Sequence, residues 1–170
     1  MIVKPDEIQR MMAEKTPQFW KMPPLIKVYE ALGAIADSRV QIQDERHAAV
    51  VSSEGDKNYA VEIADRAISS NDNASYWQGY LGYPAIAVMI TRGLLAADRD
   101  AINALGRIPW KELNRRFRND YARTIMEVDQ KLTANGIHPA TIKGECEAIL
   151  AALRAYAPIQ GARRRPSRAQ

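Results

Sequence analysis

The most constraining feature of the sequence is an alternation of apolar residues with other residues between positions 40 and 64. It is clearest at Tyr59, Val61 and Ile63, which are separated by single small or charged residues. A period of two is typical of a β-strand with one buried face. Short polar segments divide the region into three strands and lead into a fourth: 44–45, 53–57 and 65–66. Because connections this short join antiparallel neighbours, the sequence predicts a small antiparallel β-meander of three or four strands.

Apolar residues recur at helical spacing on both sides of the meander. This spacing predicts helices over six segments: 5–15, 24–36, 84–96, 98–104, 109–134 and 139–157. The segment 84–96 is apolar on nearly every face, so we expect it to be buried against the meander. A short loop joins the last two helices, which predicts a C-terminal antiparallel helical hairpin. The predicted fold class is α+β, with the meander packed on helices.

The chain divides by composition into three regions. With 170 residues, it can bury about two thirds of its unfolded surface and fold without a disulfide or a metal ion. The element order predicts an α+β module at 1–96 and a helical hairpin region at 97–158 that packs on it. Residues 161–170 contain no apolar residue beyond alanine. The basic tail at 159–170 is therefore predicted to be disordered.

The net charge of +4 is concentrated at the C-terminus. Four arginines lie in the last eight positions: Arg163, Arg164, Arg165 and Arg168. Without them, the numbers of basic and acidic residues are equal. The high isoelectric point therefore indicates a basic tail rather than a basic folded body.

Cysteine usage and hydropathy indicate a cytoplasmic protein. Cys146 is the single cysteine, so no internal disulfide can form and a reducing compartment is expected. The N-terminal residues lack the apolar segment of a secretory signal. The longest apolar stretch, at 83–90, is about half of the roughly 20 residues that a membrane span requires. We therefore expect no membrane partner.

The order of predicted elements over residues 24–95 resembles the SWIM family of small ββα zinc modules. The segment at 59–63, Tyr-Ala-Val-Glu-Ile, matches the Tyr-x-Val strand of that family. The segment at 85–89, Ala-Ile-Ala-Val-Met, matches its Ile-Leu-Ala-Val helix. The helix at 28–35 and the strand at 39–40 are similar to the segment that precedes such modules.

The zinc ligands of the SWIM family are missing from this chain. In that family they are Cys-x-Cys and Cys-x-His, whereas the corresponding positions here are Ser69, Asn71, Gly82 and Pro84. None of these side chains is a competent zinc ligand. The resemblance therefore implies a module without metal, held together by bulky side chains, and it implies contacts with protein or DNA.

An aromatic linker at 76–83 supplies the first group of candidate binding residues. It carries Tyr76, Trp77, Tyr80 and Tyr83 together with two glycines. These residues predict either a satellite core under the meander or a partner-binding surface. Such a surface would stack on single-stranded nucleic acid or hold a peptide.

Basic residues form the second candidate group. Lys111, Arg115, Arg116 and Arg118 give the densest positive charge outside the tail. Acidic residues are interleaved on the same predicted helix, so a solvated face with ion pairs is one interpretation. The other is nucleic-acid binding together with the tail arginines Arg163, Arg164 and Arg165.

No set of residues forms a convincing catalytic or metal centre, and His47, His138 and Cys146 are predicted to be structural. The leading prediction is a non-catalytic protein-interaction or adaptor module that binds a protein or self-associates, without cofactor or metal. The alternative is a nucleic-acid-binding accessory protein that uses the arginine tail and the basic cluster. A third hypothesis places an enzyme site between the meander and the hairpin, with Asp72 and Tyr80.

Overall fold

A computed structural model describes residues 4, 6 and 16–166. Within them, the chain forms an α+β fold with one mixed sheet. The helices are α1 (Ile26–Ala36), α2 (Tyr83–Thr91), α3 (Arg99–Ala104), α4 (Trp110–Arg116), α5 (Tyr121–Ala134) and α6 (Pro139–Tyr156). The strands are β1 (Val40–Ile42), β2 (His47–Val51), β3 (Asn58–Ala64), β4 (Ala67–Ser70) and β5 (Ile159–Gln160). The predicted helix at 5–15 lies outside the described residues, apart from residue 6.

The five strands lie in the order β1-β2-β3-β4-β5. The first four pair antiparallel through short connections. Strand β5 pairs in parallel with β4, with Ala67 opposite Ile159. The prediction of a purely antiparallel sheet is therefore wrong, because the chain returns after α6 and adds a parallel strand at the edge. The sequence analysis placed residues 159 and 160 in the tail. A strand of two residues is too short to show the alternation by which strands are recognised.

The core is built around helix α2, and the sheet and all six helices contribute buried residues to it. Helix α2 contacts α1 and the first four strands, and residues 84–90 are all buried. Burial of this apolar helix against the meander was predicted. The helix ends earlier than expected, at Thr91, and Gly93 follows it with a φ of +75°.

The predicted helix at 109–134 is two helices, α4 and α5. Between them, Arg118 and Asn119 have φ values of +51° and +60°. Asn tolerates this left-handed conformation better than most residues, and the Asp120 carboxylate accepts a hydrogen bond from the Arg123 amide at 3.3 Å to begin α5. The single long helix was therefore a wrong prediction.

Helix α6 has nearly the predicted bounds, and it contacts α5. The antiparallel hairpin of these two helices stays a prediction. In the part of the chain that the structure describes, every helix is too short or too polar to cross a lipid bilayer.

Candidate functional site

A cleft of about 670 Å³ opens between α1, the turn that joins β2 to β3, the start of β3, and α4. Its volume is in the range of small-ligand sites, which is roughly 300–1,000 Å³. Four further segments complete it: the end of the loop after β4, a π-helical turn (Ala74–Gln78), the start of α2 and the break between α4 and α5. The cleft is thus assembled from residues between positions 27 and 121.

A buried ion pair on α1 contributes to the cleft lining. Lys27 Nζ lies 3.0 Å from Glu30 Oε2, and Asn114 Nδ2 donates to Glu30 Oε1 at 2.5 Å. Only 3% of the Glu30 side chain is exposed. Burial by itself would lower the pKa of Lys27, but the attraction and hydrogen bond of Glu30 raise it above its usual range. Lys27 also lies over the ring of Tyr121, 5.0 Å from the centroid, so the pair is fixed on several sides.

Asp72 is a second buried carboxylate in the cleft wall. It accepts hydrogen bonds from Ser70 Oγ at 2.5 Å, from Ser75 Oγ at 2.7 Å and from the Ser75 amide at 3.0 Å. A Cβ atom added to Gly82 would lie 2.1 Å from Asp72 Oδ1, so the chain passes directly against the carboxylate. Asp72 therefore fixes the position of the π-helical turn relative to β4 and α2.

The predicted aromatic residues divide between two environments. Tyr80 and Tyr83 are half-buried and line the cleft. Burial raises the pKa of both phenols, helped by Tyr121 for Tyr80 and by Tyr59 for Tyr83. Trp77 lies on the rim, and 68% of it is exposed. Of the two interpretations of the linker, a satellite core fits Tyr83 and does not fit Trp77.

The cleft lining carries more positive than negative charge. Its cations are Lys27, Arg39, Lys57, Lys111, Arg115 and Arg118, and its anions are Glu30 and Asp72. Three acidic side chains outside the lining neutralise part of this excess. Glu54 lies 3.2 Å from Lys111 and 2.6 Å from Arg115, Asp56 pairs with Lys111, and Asp37 lies 3.9 Å from Arg39. Lys57 and Arg118 form no ion pair with any described acidic side chain. Of the predicted basic cluster, only Arg116 lies outside the lining, where it pairs with Glu112 at 2.6 Å.

Of the tail arginines, Arg163 lies against the aromatic linker at Tyr76. The Arg163 guanidinium is 4.2 Å from the centroid of the Tyr76 ring and donates to the Tyr76 carbonyl at 3.0 Å. Arg164 forms an ion pair with Glu62, and Arg165 is exposed. The structure therefore brings the aromatic linker together with parts of both predicted basic groups.

Several cleft residues were missed by the sequence analysis: Lys27, Glu30, Arg39, Lys57 and Tyr59. The sequence does contain a signal for Lys27 and Glu30. They lie three residues apart, on one face of a helix that is otherwise strongly apolar. A charged pair at that spacing within a buried helix indicates a functional or structural ion pair.

Asp56, beside the cleft, is expected to make part of the stability sensitive to acid. Hydrogen bonds from Lys111 and Ser52 lower its pKa from 3.8 to about 2. Folding thus favours the ionised carboxylate, so its contribution is present above pH 3.8 and is lost as the pH falls towards about 2. In denaturant unfolding, the free energy of unfolding of Asp56→Asn should depend less on pH in that window than that of the wild type. If the free energy of unfolding varied equally with pH in the two proteins, the contact between Asp56 and Lys111 would be contradicted.

In the described ranges, no three His, Cys, Asp or Glu side chains are grouped so that they could hold a metal ion. The predicted SWIM resemblance is wrong, and the comparison with protein families shows this. The family model that matches the chain is a different one, and it covers residues 20–158. The strand on which the resemblance rested is part of a five-stranded mixed sheet.

No curated protein and no solved structure gives a significant match to the chain. The matching family model is described as "Uncharacterised conserved protein UCP014422". Its match spans most of the chain and includes every residue that lines the cleft. The chain therefore belongs to the family of uncharacterised conserved proteins UCP014422.

Proposed function

We propose that the cleft binds an anionic ligand that carries a planar ring, of the nucleotide class. The observation that carries this proposal is the charge of the lining, in which Lys57 and Arg118 have no acidic partner among the described residues. Unpaired cations beside a concave site attract anions and are strengthened by the low dielectric of the protein. Phosphate is an anion that Lys and Arg side chains commonly bind in proteins.

The ring of the ligand is inferred from the aromatic side chains of the cleft. Trp77, Tyr80 and Tyr83 are among the aromatic side chains that line it. Flat rings stack on aromatic side chains, and an exposed tryptophan offers a large face for this contact. A ligand with both a ring and a phosphate would use the aromatic and the cationic parts of the lining together.

The buried carboxylates support binding rather than proton transfer. Glu30 accepts from Lys27 and Asn114, and Asp72 accepts from Ser70 and Ser75. A general base must reach a proton of the substrate, whereas these oxygens already have partners inside the protein. The third hypothesis, an enzyme site with Asp72 and Tyr80, is thereby disfavoured, although both residues line the cleft. The adaptor role stays a prediction.

Calorimetric titration with adenosine monophosphate, adenosine and inorganic phosphate would test the proposal. We expect adenosine monophosphate to bind more tightly than either of its parts, because only it uses both halves of the lining. Arg118→Ala and Lys57→Ala should each weaken its binding by about tenfold, as expected for a lost hydrogen bond to a charged group. Arg154→Ala and Lys131→Ala are matched controls on exposed helix positions away from the cleft.

A gain of affinity provides the complementary test. Glu54→Gln removes the carboxylate that pairs with Lys111 and Arg115. Arg115 is then left without an acidic partner and Lys111 keeps only Asp56, so the affinity for adenosine monophosphate should rise. A misfolded variant would lose affinity instead. Absence of binding by all three probes, or equal losses in the control variants, would refute the proposal.

A further inference from the structure

A second concavity, of about 330 Å³, lies directly behind the rim of the cleft. It shares Trp77 and Gln78 with the cleft, so these residues form a ridge between the cleft and the second concavity. Its lining includes Lys21, Tyr76 and Arg163. Basic residues therefore lie on both sides of an exposed tryptophan.

The ridge is held in place by the surrounding backbone. Trp77 lies within the π-helical turn, which is bound at its start by the hydrogen bonds that Ser75 donates to the Asp72 carboxylate. The turn ends at Gly79, whose φ of +73° reverses the chain and whose carbonyl accepts from the Lys21 amide at 3.0 Å. The indole packs edge-on against Tyr76, with 4.6 Å between the ring centroids. A rigid turn thus presents the tryptophan to solvent, although 68% exposure of so large an apolar side chain is unfavourable in water.

Resting on the proposed function, we infer that the ligand is a single strand of nucleic acid that crosses the ridge at Trp77. One nucleotide occupies the cleft, a base stacks on the indole, and the backbone continues into the second concavity. Arg118 and Lys57 bind phosphate on the first side, and Arg163 and Lys21 bind it on the second. A stacking platform flanked by cations on both sides is the general arrangement of sites that bind single strands.

The exposed ring favours a single strand over a duplex. In a duplex, both faces of each base are covered by neighbouring bases, so a protein ring can stack only on an unpaired or extruded base. A mononucleotide, in contrast, would leave the second concavity and Arg163 unused. Basic side chains on both sides of Trp77 therefore point to a ligand longer than one nucleotide.

Binding of thymidine monophosphate and of fluorescent oligothymidylates of two to ten nucleotides would test this inference. Affinity should rise by tenfold or more from one nucleotide to four and then level off. For a strand that contacts three or four phosphates, the slope of log K against log salt should be about −2 to −3. A blunt duplex of the same length should compete at least tenfold less well.

Variants of Trp77 test the stacking, and a variant of Arg163 separates this inference from the proposed function. Trp77→Ala should weaken oligonucleotide binding by about tenfold, as expected for one lost base stack, and Trp77→Phe should restore most of it. Arg163→Ala should weaken oligonucleotide binding severalfold and leave mononucleotide binding unchanged, with Arg154→Ala as the control. If mononucleotides bind but longer strands bind no more tightly, or if the duplex competes equally, this inference fails and the proposed function stands. If no nucleotide or oligonucleotide binds, both fail.

Discussion

Replacing Glu30 with alanine is expected to lower the free energy of unfolding by about 3–5 kcal/mol. The substitution removes the partner of Lys27 from a position where only 12% of the lysine side chain is exposed. A buried charge without its partner loses its attraction and keeps its desolvation cost. Asn114, which donates to Glu30 at 2.5 Å, loses its acceptor as well. Since folded domains are typically stable by about 5–15 kcal/mol, this is a large share of the total.

Denaturant unfolding followed by circular dichroism would measure the effect of Glu30→Ala. The control is the double variant Lys27→Met/Glu30→Leu, which replaces both charges with apolar groups of similar size. Such exchanges of a whole buried pair are often neutral or stabilising, so the double variant should be more stable than Glu30→Ala. A loss below about 1 kcal/mol for Glu30→Ala would show that water reaches the pair and screens it.

The strands were accessible to sequence analysis because their signal is local. Residues at 58–64 alternate between the two faces of the sheet, so a period of two is visible without knowledge of the partner strand. The same is true of α2, whose apolar composition by itself requires burial on all sides. Both elements depend on neighbours in sequence, and both were predicted.

The break between α4 and α5 is not visible in the hydrophobic pattern of the sequence. Phe117 and Tyr121 are four residues apart, which continues the apolar stripe of a single helix. The chain nevertheless leaves the helical conformation at Arg118 and Asn119. Asp is a residue type that commonly precedes the first turn of a helix, but the apolar stripe alone does not show that a new helix begins after Asp120.

The cleft was not predicted because its residues meet only in the folded chain. Lys57 lies at the end of a turn and Arg118 in the break between helices, 61 positions later. Neither has an unusual local context. The candidate aromatic residues were found because four rings within eight positions are a local anomaly, but only the fold shows that Trp77 is exposed while Tyr83 is packed against the core.

Replacing Gly33 with alanine is expected to destabilise the protein by about 1–3 kcal/mol, the range for overpacking of a core. Gly33 is in the middle of α1, where an alanine would ordinarily be favourable. A Cβ atom at this position would lie 2.4 Å from Nε1 of Trp110 and 3.0 Å from the Leu105 carbonyl oxygen. The indole is 3% exposed and packs edge-on against Tyr29, so it has little room to move. Because Trp110 also lines the cleft, its displacement should weaken ligand binding.

Gly144 provides a matched control for Gly33. It is in the middle of α6, and an added Cβ atom would have no neighbouring atom within 4 Å. Gly144→Ala should therefore stabilise the protein by about 0.5–1 kcal/mol through helix propensity alone. Two chemically identical substitutions in two helices are thus expected to change the unfolding free energy in opposite directions. Stabilisation by both substitutions would show that helix propensity decides the outcome and that α1 is not packed closely against Trp110. Opposite signs, with Gly33→Ala less destabilising in a Trp110→Leu background, would locate the strain at this contact.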